Sequence, residues 1–239
     1  MCCFVNVFVG LVIFVCFIYN VVDMKLESVG LLINLRPFNE RDCVARIFTR
    51  EYGVLVGMMR GAVVAKKNRP LVGQVGVATW NARLDTQLGV FHWDAEKNLS
   101  APLMLDSARL MCMNSAFDIL GALLPERESY QNLYEGTCAL CQKLADGNKG
   151  AYLEWEIGLL RELGYALDLS CCAGCGAVNG LAYISPRTGR AVCAGCGAPY
   201  ADKLYKLPIN LGVTGRFLES VCVAQGGQMP VMRKMLKID

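Results

Sequence analysis

Four cysteines in two identical hexapeptides are the residues of this sequence best suited to do chemistry. The hexapeptide CAGCGA occurs at residues 172–177 and again at 193–198, so seventeen residues separate two Cys-x2-Cys pairs. This spacing is typical of a zinc ribbon or knuckle, in which four thiolates close a tetrahedral site that has no open position. We therefore expect one structural Zn²⁺ ion that organises the fold and performs no catalysis. Its expected ligands are Cys172, Cys175, Cys193 and Cys196.

Each Cys-x2-Cys pair carries one glycine between its cysteines and another directly after them. We expect the first glycine to permit close approach of the backbone, and the second to let amide groups point at the thiolates. Two alternatives remain open. The cysteines could form disulfides or stay free thiols, and Cys171 could replace Cys172 as a ligand, although the identical repeat favours Cys172.

The other candidates for chemistry are weaker. Cys138 and Cys141 lie within a helical pattern, where residues three apart share a face, so core packing is expected and a redox pair is the alternative. The single histidine, His92, lies in an apolar strand pattern and is expected to be structural rather than catalytic. Gly212-Val-Thr-Gly215 lacks the lysine of a phosphate-binding loop. We therefore do not expect an enzyme.

A basic stretch is the second feature with a possible function. No acidic residue occurs from position 52 to position 84, whereas basic residues recur there and in the preceding segment. Such residues could follow a nucleic-acid backbone, and Phe38, Tyr52 and Trp80 could stack on bases. The alternative is that the charges only keep a loop solvated and that the aromatic residues belong to the core. The basic residues of this stretch are Arg60, Lys66, Lys67, Arg69 and Arg83, and those that precede it are Arg36, Arg41, Arg46 and Arg50.

The elements that must position these residues begin with five short apolar stretches separated by turn signals. They predict strands, and five strands at this spacing favour a small barrel, for which the OB type is the leading candidate. The predicted strands are residues 29–35, 44–49, 54–58, 72–77 and 88–92.

From residue 103 the apolar period becomes helical. Helices are expected from about residue 105 to near Pro125, at 131–144 and at 151–163, with Gly164 as a C-terminal stop. Another is expected around 215–224. The predicted fold is therefore an α+β multidomain chain. Its expected parts are an apolar extension (1–23), an OB-type barrel (24–100), a helical bundle (101–170), a four-cysteine zinc-finger element (171–200) and a C-terminal helical segment packed on the bundle (201–239).

Charge follows the same division. The chain carries a formal net charge of +3, with 54% apolar and 19% charged residues, which argues against disorder. Residues 24–100 hold 11 basic against 7 acidic residues, residues 101–170 hold 5 against 10, and residues 171–239 hold 8 against 3. The two basic parts are candidates for contact with a polyanion, and the acidic middle part is a poor DNA surface.

Residues 2–22 contain no charged side chain and could span a bilayer as a helix. They lack the positive start and the cleavage site of a signal peptide. A membrane anchor and a start codon placed too far upstream both remain open. The second is favoured because Met24 reads like the start of a soluble protein. In either case we expect the body of the protein in the cytoplasm, where thiols stay reduced.

Five segments carry a resemblance to a known family. They are LRPFNERDCVARIFTREYGVLVGMMRGA (35–62), LLPERESYQNLYE (123–135), LRELGYALDLSCCAGCG (160–176), LAYISPRTGRAV (181–192) and PYADKLYKLP (199–208). With these segments in this order, the chain resembles the bacterial recombination mediator family RecO over roughly residues 26–210. The resemblance implies an OB-fold that contacts DNA, a helical bundle and a zinc finger that many members retain. It places six basic residues in the part that contacts DNA, and with Arg83 of the basic stretch they are the candidate DNA-binding residues: Arg36, Arg41, Arg60, Lys66, Lys67, Arg69 and Arg83. Residues 1–23 have no counterpart in that family.

The resemblance also implies a function and partners. Members of the family bind single- and double-stranded DNA and anneal complementary strands. They engage the C-terminal tail of single-stranded-DNA-binding protein and act with RecR to load RecA. The location implied is the cytoplasm, with the nucleoid, and not a membrane. The alternative that remains open is a zinc-ribbon adaptor that binds mainly protein partners.

Overall fold

A computed structural model describes residues 24–83 and 88–236, and the apolar segment predicted at residues 1–23 lies outside them. Over the described residues the chain is α+β. The first five strands are β1 (Met24–Pro37), β2 (Cys43–Thr49), β3 (Gly53–Met59), β4 (Gln74–Ala82) and β5 (Gly89–Asn98). The helices are α1 (Ser107–Leu123), α2 (Gln131–Ala145), α3 (Ala151–Glu162), α4 (Ala194–Gly197), α5 (Leu211–Ala224) and α6 (Val231–Met235). A small sheet holds β6 (Leu181–Ile184), β7 (Ala191–Cys193) and β8 (Tyr205–Lys206) in the order β7-β6-β8.

The first five strands close into a barrel in the order β1-β2-β3-β5-β4. Strand β1 is long enough to serve two neighbours, because residues 24–31 pair with β4 and residues 30–37 pair with β2, both antiparallel. The register of β1 against β2 shifts between Leu32 and Asn34. A short parallel pairing of β3 with β5 closes the ring.

The side chains of the barrel strands are divided between two cores. Leu32 and Ile47 belong to the barrel interior, whereas Leu31 and Phe48 are buried in the core formed by the helices. The ring of Phe48 meets the ring of Tyr134 from α2 edge-on, with 5.6 Å between centroids. Burial of one such side chain stabilises the fold by about 1.5–3 kcal/mol. The barrel therefore shares a hydrophobic core with the helices and is not an independent domain.

All five predicted strands are confirmed, and each is longer than predicted; the fourth is also shifted along the chain. That strand covers residues 74–82 rather than 72–77. The turn signal that follows the predicted strand covers residues 81–85, but the strand continues to Ala82 because the side chains of Ala78, Trp80 and Ala82 alternate into the barrel interior. Arg83 then forms a bend, and residues 84–87 lie outside the described ranges.

The predicted helices are also confirmed, with corrections at their ends. Helix α1 begins at Ser107 because the side chain of Asp106 accepts hydrogen bonds from two backbone N–H groups of the first turn, each at 3.1 Å. Leu105, predicted on the apolar face, is fully exposed. Helix α3 stops as predicted, since Gly164 has φ +85° and the N–H of Tyr165 reaches the carbonyl of Leu160 at 2.7 Å. No helix within the described ranges has the length and apolar character needed to cross a membrane.

The loop between α1 and α2 fastens the helices to the barrel. The N–H of Arg127 donates to the carbonyl of Val54 in β3 at 3.1 Å, and its guanidinium lies 4.9 Å from the ring centre of Trp80. Gly53 has φ +65°, and a β-carbon there would lie 1.7 Å from the carbonyl oxygen of Glu128. The close fit of this loop therefore requires glycine at position 53.

Two arginines of β2 and the turn that follows it make further ties to the helices. Arg46 donates from Nη1 to the carbonyl of Gly121 in α1. Arg50 pairs with Glu135 of α2 at 2.7 Å, where both side chains are exposed. The positive charges of Arg46 and Arg50 are thus used within the fold.

A buried ion pair joins the last helix to the bundle. Glu156 of α3 is fully buried and Arg233 of α6 is 4% exposed. Arg233 donates to both oxygens of that carboxylate, and its Nη2 also donates to the carbonyl of Leu211 at 2.7 Å. The hydroxyl of Thr214 donates to the same carboxylate. These contacts satisfy the two charges and fix α5 and α6 against α3.

We expect Arg233→Met to lower the free energy of unfolding by about 3–5 kcal/mol, because it leaves the Glu156 carboxylate buried without its cation. The double variant Glu156→Leu/Arg233→Met should recover much of that loss, since no unpaired charge remains. Urea denaturation followed by circular dichroism measures both. Glu135→Gln, which breaks the exposed pair with Arg50, is the control and should cost less than about 1 kcal/mol. A double variant as unstable as the single one would contradict this account.

Candidate metal centre and nucleic-acid interface

Strand pairing in the small sheet brings the two Cys-x2-Cys pairs together. The first pair lies in a turn before β6, and the second begins at the last residue of β7 and continues into α4. Strands β6 and β7 pair antiparallel, with Leu181 opposite Cys193. The N–H of Ala173 donates to the carbonyl of Ala191 at 2.8 Å, which holds the first turn against β7.

The four sulfurs form a compact group. The ligand atoms of the four cysteines all lie within 4.8 Å of one another, and the sulfurs of Cys175 and Cys193 are 3.7 Å apart. A tetrahedral site with Zn–S bonds of about 2.3 Å requires sulfurs roughly 3.8 Å apart. The four cysteines can therefore hold a metal ion, and the donor set fits zinc. The members of the group are Cys172, Cys175, Cys193 and Cys196.

Backbone amides surround the most buried sulfur. The N–H groups of Cys193 and Gly174 donate to the sulfur of Cys172 at 3.3 and 3.4 Å. Backbone hydrogen bonds, first that of Cys193 and then those of Cys175 and Gly174, lower the pKa of Cys172 to about 6. The pKa of Cys196 is raised to about 12, first because of its hydrogen bond with Cys175. Four neighbouring sulfurs cannot all carry charge alone, whereas a divalent cation stabilises all four as thiolates.

The two glycine expectations hold only in part. A β-carbon at Gly174 would lie 3.1 Å from the sulfur of Cys196, so close approach is confirmed there. Nothing lies within 4 Å of the corresponding position at Gly195, where the expectation is wrong because that glycine is exposed in the short helix α4. For the second glycines, Gly176 has φ +75°, as a turn that requires glycine would, whereas Gly197 has an ordinary φ of −83°. Amides of Gly174, Cys193 and Cys196 do reach sulfur atoms.

Cys171 lies outside the group of four. Its sulfur is 3.8 Å from the hydroxyl of Ser170 and 4.0 Å from Nη2 of Arg190. Cys172, in contrast, is 2% exposed and accepts the amide hydrogen bonds described above. The geometry therefore selects Cys172 over Cys171 as the ligand.

All seven candidate DNA-binding residues are exposed, and most of them lie on loops of the barrel. Arg41 lies in the turn between β1 and β2, and Arg83 follows β4. Arg60, Lys66, Lys67 and Arg69 lie in the segment between β3 and β4. We name Arg41, Arg60, Lys66, Lys67 and Arg69 the loop cations.

Hydrogen bonds tie the two loops that carry these cations. The N–H of Gly61 donates to Oδ1 of Asp42 at 2.8 Å, and the N–H of Val63 donates to the carbonyl of Arg41 at 3.0 Å. Hydrogen bonds from Asn39 and Gly61 lower the pKa of Asp42, and the charges of Arg41 and Arg60 lower it further. Both arginines are thus close to one carboxylate. This role of Asp42 was not predicted from the sequence, although Asn39-x2-Asp42 is a turn signal that indicates it.

Arg36 faces a different part of the surface. It lines a groove of about 600 Å³ between the barrel and α1, together with Asn34 and Asp118. Burial raises the pKa of Asp118, and the charge of Arg36 opposes that shift. Arg36 is therefore placed at the junction of barrel and bundle and apart from the loop cations.

The three aromatic candidates for base stacking differ in their exposure to solvent. Trp80 is 1% exposed, and its indole N–H donates to the carbonyl of Val56 at 2.9 Å, so the stacking hypothesis is wrong for this residue. Tyr52 is half-buried against the barrel core. Phe38 is 62% exposed in the turn between β1 and β2. Of the three aromatic candidates, Phe38 is therefore the one with an exposed side chain.

The weaker chemical candidates take ordinary structural roles. Cys141 is fully buried and Cys138 packs beside it, which confirms core packing. Burial raises the pKa of both thiols, that of Cys141 to about 12, so the thiolate that redox chemistry needs is disfavoured. His92 lies in β5, but its side chain is exposed to solvent and is not packed among apolar residues; its Nε2 lies 3.3 Å from Oδ2 of Asp94. Gly212-Val-Thr-Gly215 lies in the first turn of α5, and the side chain of Asn210 caps this helix by accepting hydrogen bonds from the N–H groups of Gly212 and Val213.

Comparison with known proteins identifies relatives of this chain. The family model "Recombination protein O C terminal" matches residues 104–225. The DNA repair protein RecO of Jannaschia sp. (strain CCS1) is 36% identical over 226 residues, which cover 87% of this chain and 92% of the relative. The RecO of Rhodospirillum centenum is 39% identical over 190 residues, or 77% of this chain and 76% of the relative. That of Rhodospirillum rubrum is 34% identical over 231 residues, or 86% and 92%.

For the four-cysteine group, we expect one equivalent of zinc per chain in protein purified without chelator. Cys193→Ser should lose the metal, because three thiolates and a hydroxyl hold zinc far less tightly than four thiolates. Cys171→Ser is the matched control and should keep one equivalent. Atomic absorption measures the metal, and limited proteolysis reports whether residues 171–206 lose their order. Metal-free wild-type protein, or loss of metal in Cys171→Ser alone, would contradict the assignment.

Proposed function

The chain belongs to the RecO family of DNA repair proteins, and from this premise we propose that it is a non-enzymatic mediator that binds DNA through its barrel and anneals complementary single strands. Its role in DNA repair and recombination follows from the family. The observation that carries the finer proposal is the set of loop cations, exposed on two loops that Asp42 ties together.

The barrel is proposed to be of the OB type. In that fold the loops after the first and fourth strands bind oligonucleotides. Here the corresponding loops carry Arg41 and Arg83. The strand order, with a long first strand that pairs with both the second and the fourth, supports this proposal. The proposed division of the chain is barrel 24–100, helical bundle 101–170, zinc-finger element 171–200 and C-terminal segment 201–239.

Annealing needs no bond chemistry from the protein. Two single strands repel each other through their phosphates, and cations that neutralise phosphates release condensed counterions and lower that repulsion. The proposed DNA contacts are Arg36, Arg41, Arg60, Lys66, Lys67, Arg69 and Arg83, and the ligands proposed include both single- and double-stranded DNA. Zinc, when bound, supplies a structural cross-link between the two Cys-x2-Cys pairs.

The partners are also proposals. RecR and the C-terminal tail of single-stranded-DNA-binding protein are proposed as direct partners, and loading of RecA as the outcome. A groove of about 250 Å³ between α2 and α3 is a candidate seat for that tail. Gly136, Ala139 and Gly158 keep its walls short, and Arg161 adds positive charge at its rim. The cytoplasm, with the nucleoid, is the proposed location.

The alternative is a zinc-ribbon adaptor that binds mainly proteins and touches DNA weakly. The three-stranded sheet around the cysteines would then be the functional surface. An adaptor keeps its activity when the loop cations are neutralised, whereas an annealing protein does not. The same set of variants therefore separates the two functions.

We expect the triple variant Lys66→Gln/Lys67→Gln/Arg69→Gln to bind single-stranded DNA more weakly and to anneal complementary strands more slowly. The slope of log affinity against log salt concentration should fall in magnitude by up to about 2, since each lost phosphate contact contributes roughly 0.7 on single strands. Fluorescence anisotropy between about 50 and 200 mM salt measures the slope.

The matched control is Lys143→Gln/Lys149→Gln/Arg161→Gln, which removes the same charge from the acidic helical part. This control should leave DNA affinity and its salt dependence unchanged. A wild-type affinity that does not respond to salt would refute DNA binding through phosphates. An annealing rate preserved in the loop variant would favour the adaptor.

A further inference from the structure

Phe38 is a large aromatic side chain that the fold leaves in solvent. It lies in the turn between β1 and β2 and is 62% exposed, whereas Trp80 and Phe91 of the same barrel are buried. Single exposed apolar side chains are common on protein surfaces, so exposure alone assigns no role to Phe38. The turn that holds the ring and the charges near it carry the argument.

The turn that carries Phe38 is held by a closed set of hydrogen bonds. The N–H of Phe38 donates to the carbonyl of Asp42 at 2.9 Å. Oδ1 of Asn39 accepts from the N–H groups of Arg41 and Asp42 at 2.8 and 2.7 Å, and its Nδ2 donates to Asp42 at 2.9 Å. The bond from Gly61 to Asp42 braces the turn against the next loop. A ring on such a turn is presented in place, so little ordering cost remains when a ligand binds.

Two cations lie near this ring, together with the carboxylates of Glu40 and Asp42 in the same turn. Arg41 is three residues away in the same turn, and Arg60 belongs to the braced neighbouring loop. An aromatic face beside cations that can follow a phosphate backbone is the composition of a single-strand binding surface, where every base can stack. An acidic protein segment could use the cations, but it would not need a flat ring.

We propose that Phe38 is a base-stacking residue that contacts unpaired bases while Arg41 and Arg60 contact the neighbouring phosphates. This inference rests on the proposed DNA binding and adds the group that distinguishes single strands from duplex. Bases in duplex DNA are stacked on each other and do not reach the ring. Stacking on Phe38 is tolerant of sequence and keeps a base available for pairing with an incoming strand.

The test compares Phe38→Ala, Phe38→Leu and Phe38→Trp in the full chain, with oligothymidine and a duplex of equal length as probes. Phe38→Ala should lower affinity for oligothymidine by about tenfold, because stacking on one base is lost. Affinity for duplex and the salt slope should not change, since no phosphate contact is removed. Phe38→Trp should bind at least as tightly as wild type, and Phe38→Leu should bind like Phe38→Ala.

Tyr200→Ala is the matched control, because Tyr200 is 58% exposed in the zinc-finger element. It should bind oligothymidine like wild type. If Phe38→Ala binds like wild type while neutralisation of the loop cations weakens binding, stacking is overturned and the DNA function stands. Wild-type affinity in Phe38→Leu overturns stacking in favour of a simple apolar contact. Loss of binding to a protein partner with oligothymidine affinity intact makes Phe38 a protein-docking residue instead. A wild-type chain that binds no oligothymidine overturns both proposals.

Discussion

Burial of the outer apolar face of the barrel against the helices is the interaction on which the rest of the structure depends. Leu31 and Phe48 belong to the same core as the helices, so the two parts cannot separate without exposing both. The polar ties of Arg46 and Arg127 select one orientation of that contact. They add little to its energy, since a hydrogen bond contributes only about 0.5–1.5 kcal/mol net. Apolar burial thus holds the halves together, and the arginines determine how they meet.

Sequence patterns that involve neighbouring residues predicted most of the strands and helices, whereas contacts between residues far apart in the chain were not predicted. The repeated hexapeptide, the strand alternation and the glycine stop of α3 each depend on neighbours within a few residues. The contact of Arg127 with Trp80 and the pair of Glu156 with Arg233 join residues far apart in the chain. Each of these side chains, taken alone, is typical of a solvated surface or of a stacking aromatic. Only the fold shows that their polar or aromatic groups are used internally.

The four-cysteine segment is inserted between α3 and α5, which both belong to the helical core. Glu156 of α3 accepts hydrogen bonds from Thr214 of α5 and from Arg233 of α6. This segment has three short strands, which are too few to form a stable fold by themselves. The four cysteines lie together within it, and the buried ion pair of Glu156 with Arg233 fixes the helices on either side of it. A metal ion held by the four cysteines would therefore stabilise this segment, whereas the core is held by its own apolar contacts.

What the fold leaves uncovered decides where DNA can bind. The helices cover one side of the barrel, and the loop around Arg127 covers the start of β3. The turn between β1 and β2 and the segment after β3 stay open, and they carry the loop cations. Two carboxylates, Glu40 and Asp42, lie in the turn with Arg41 and weaken the attraction of these cations for phosphate. Asp42 is compatible with the proposed function because it accepts hydrogen bonds from Asn39 and Gly61, and so holds the two loops in one arrangement. The surface thus has a smaller positive charge, but its two loops are already ordered, so little conformational entropy is lost when single-stranded DNA binds.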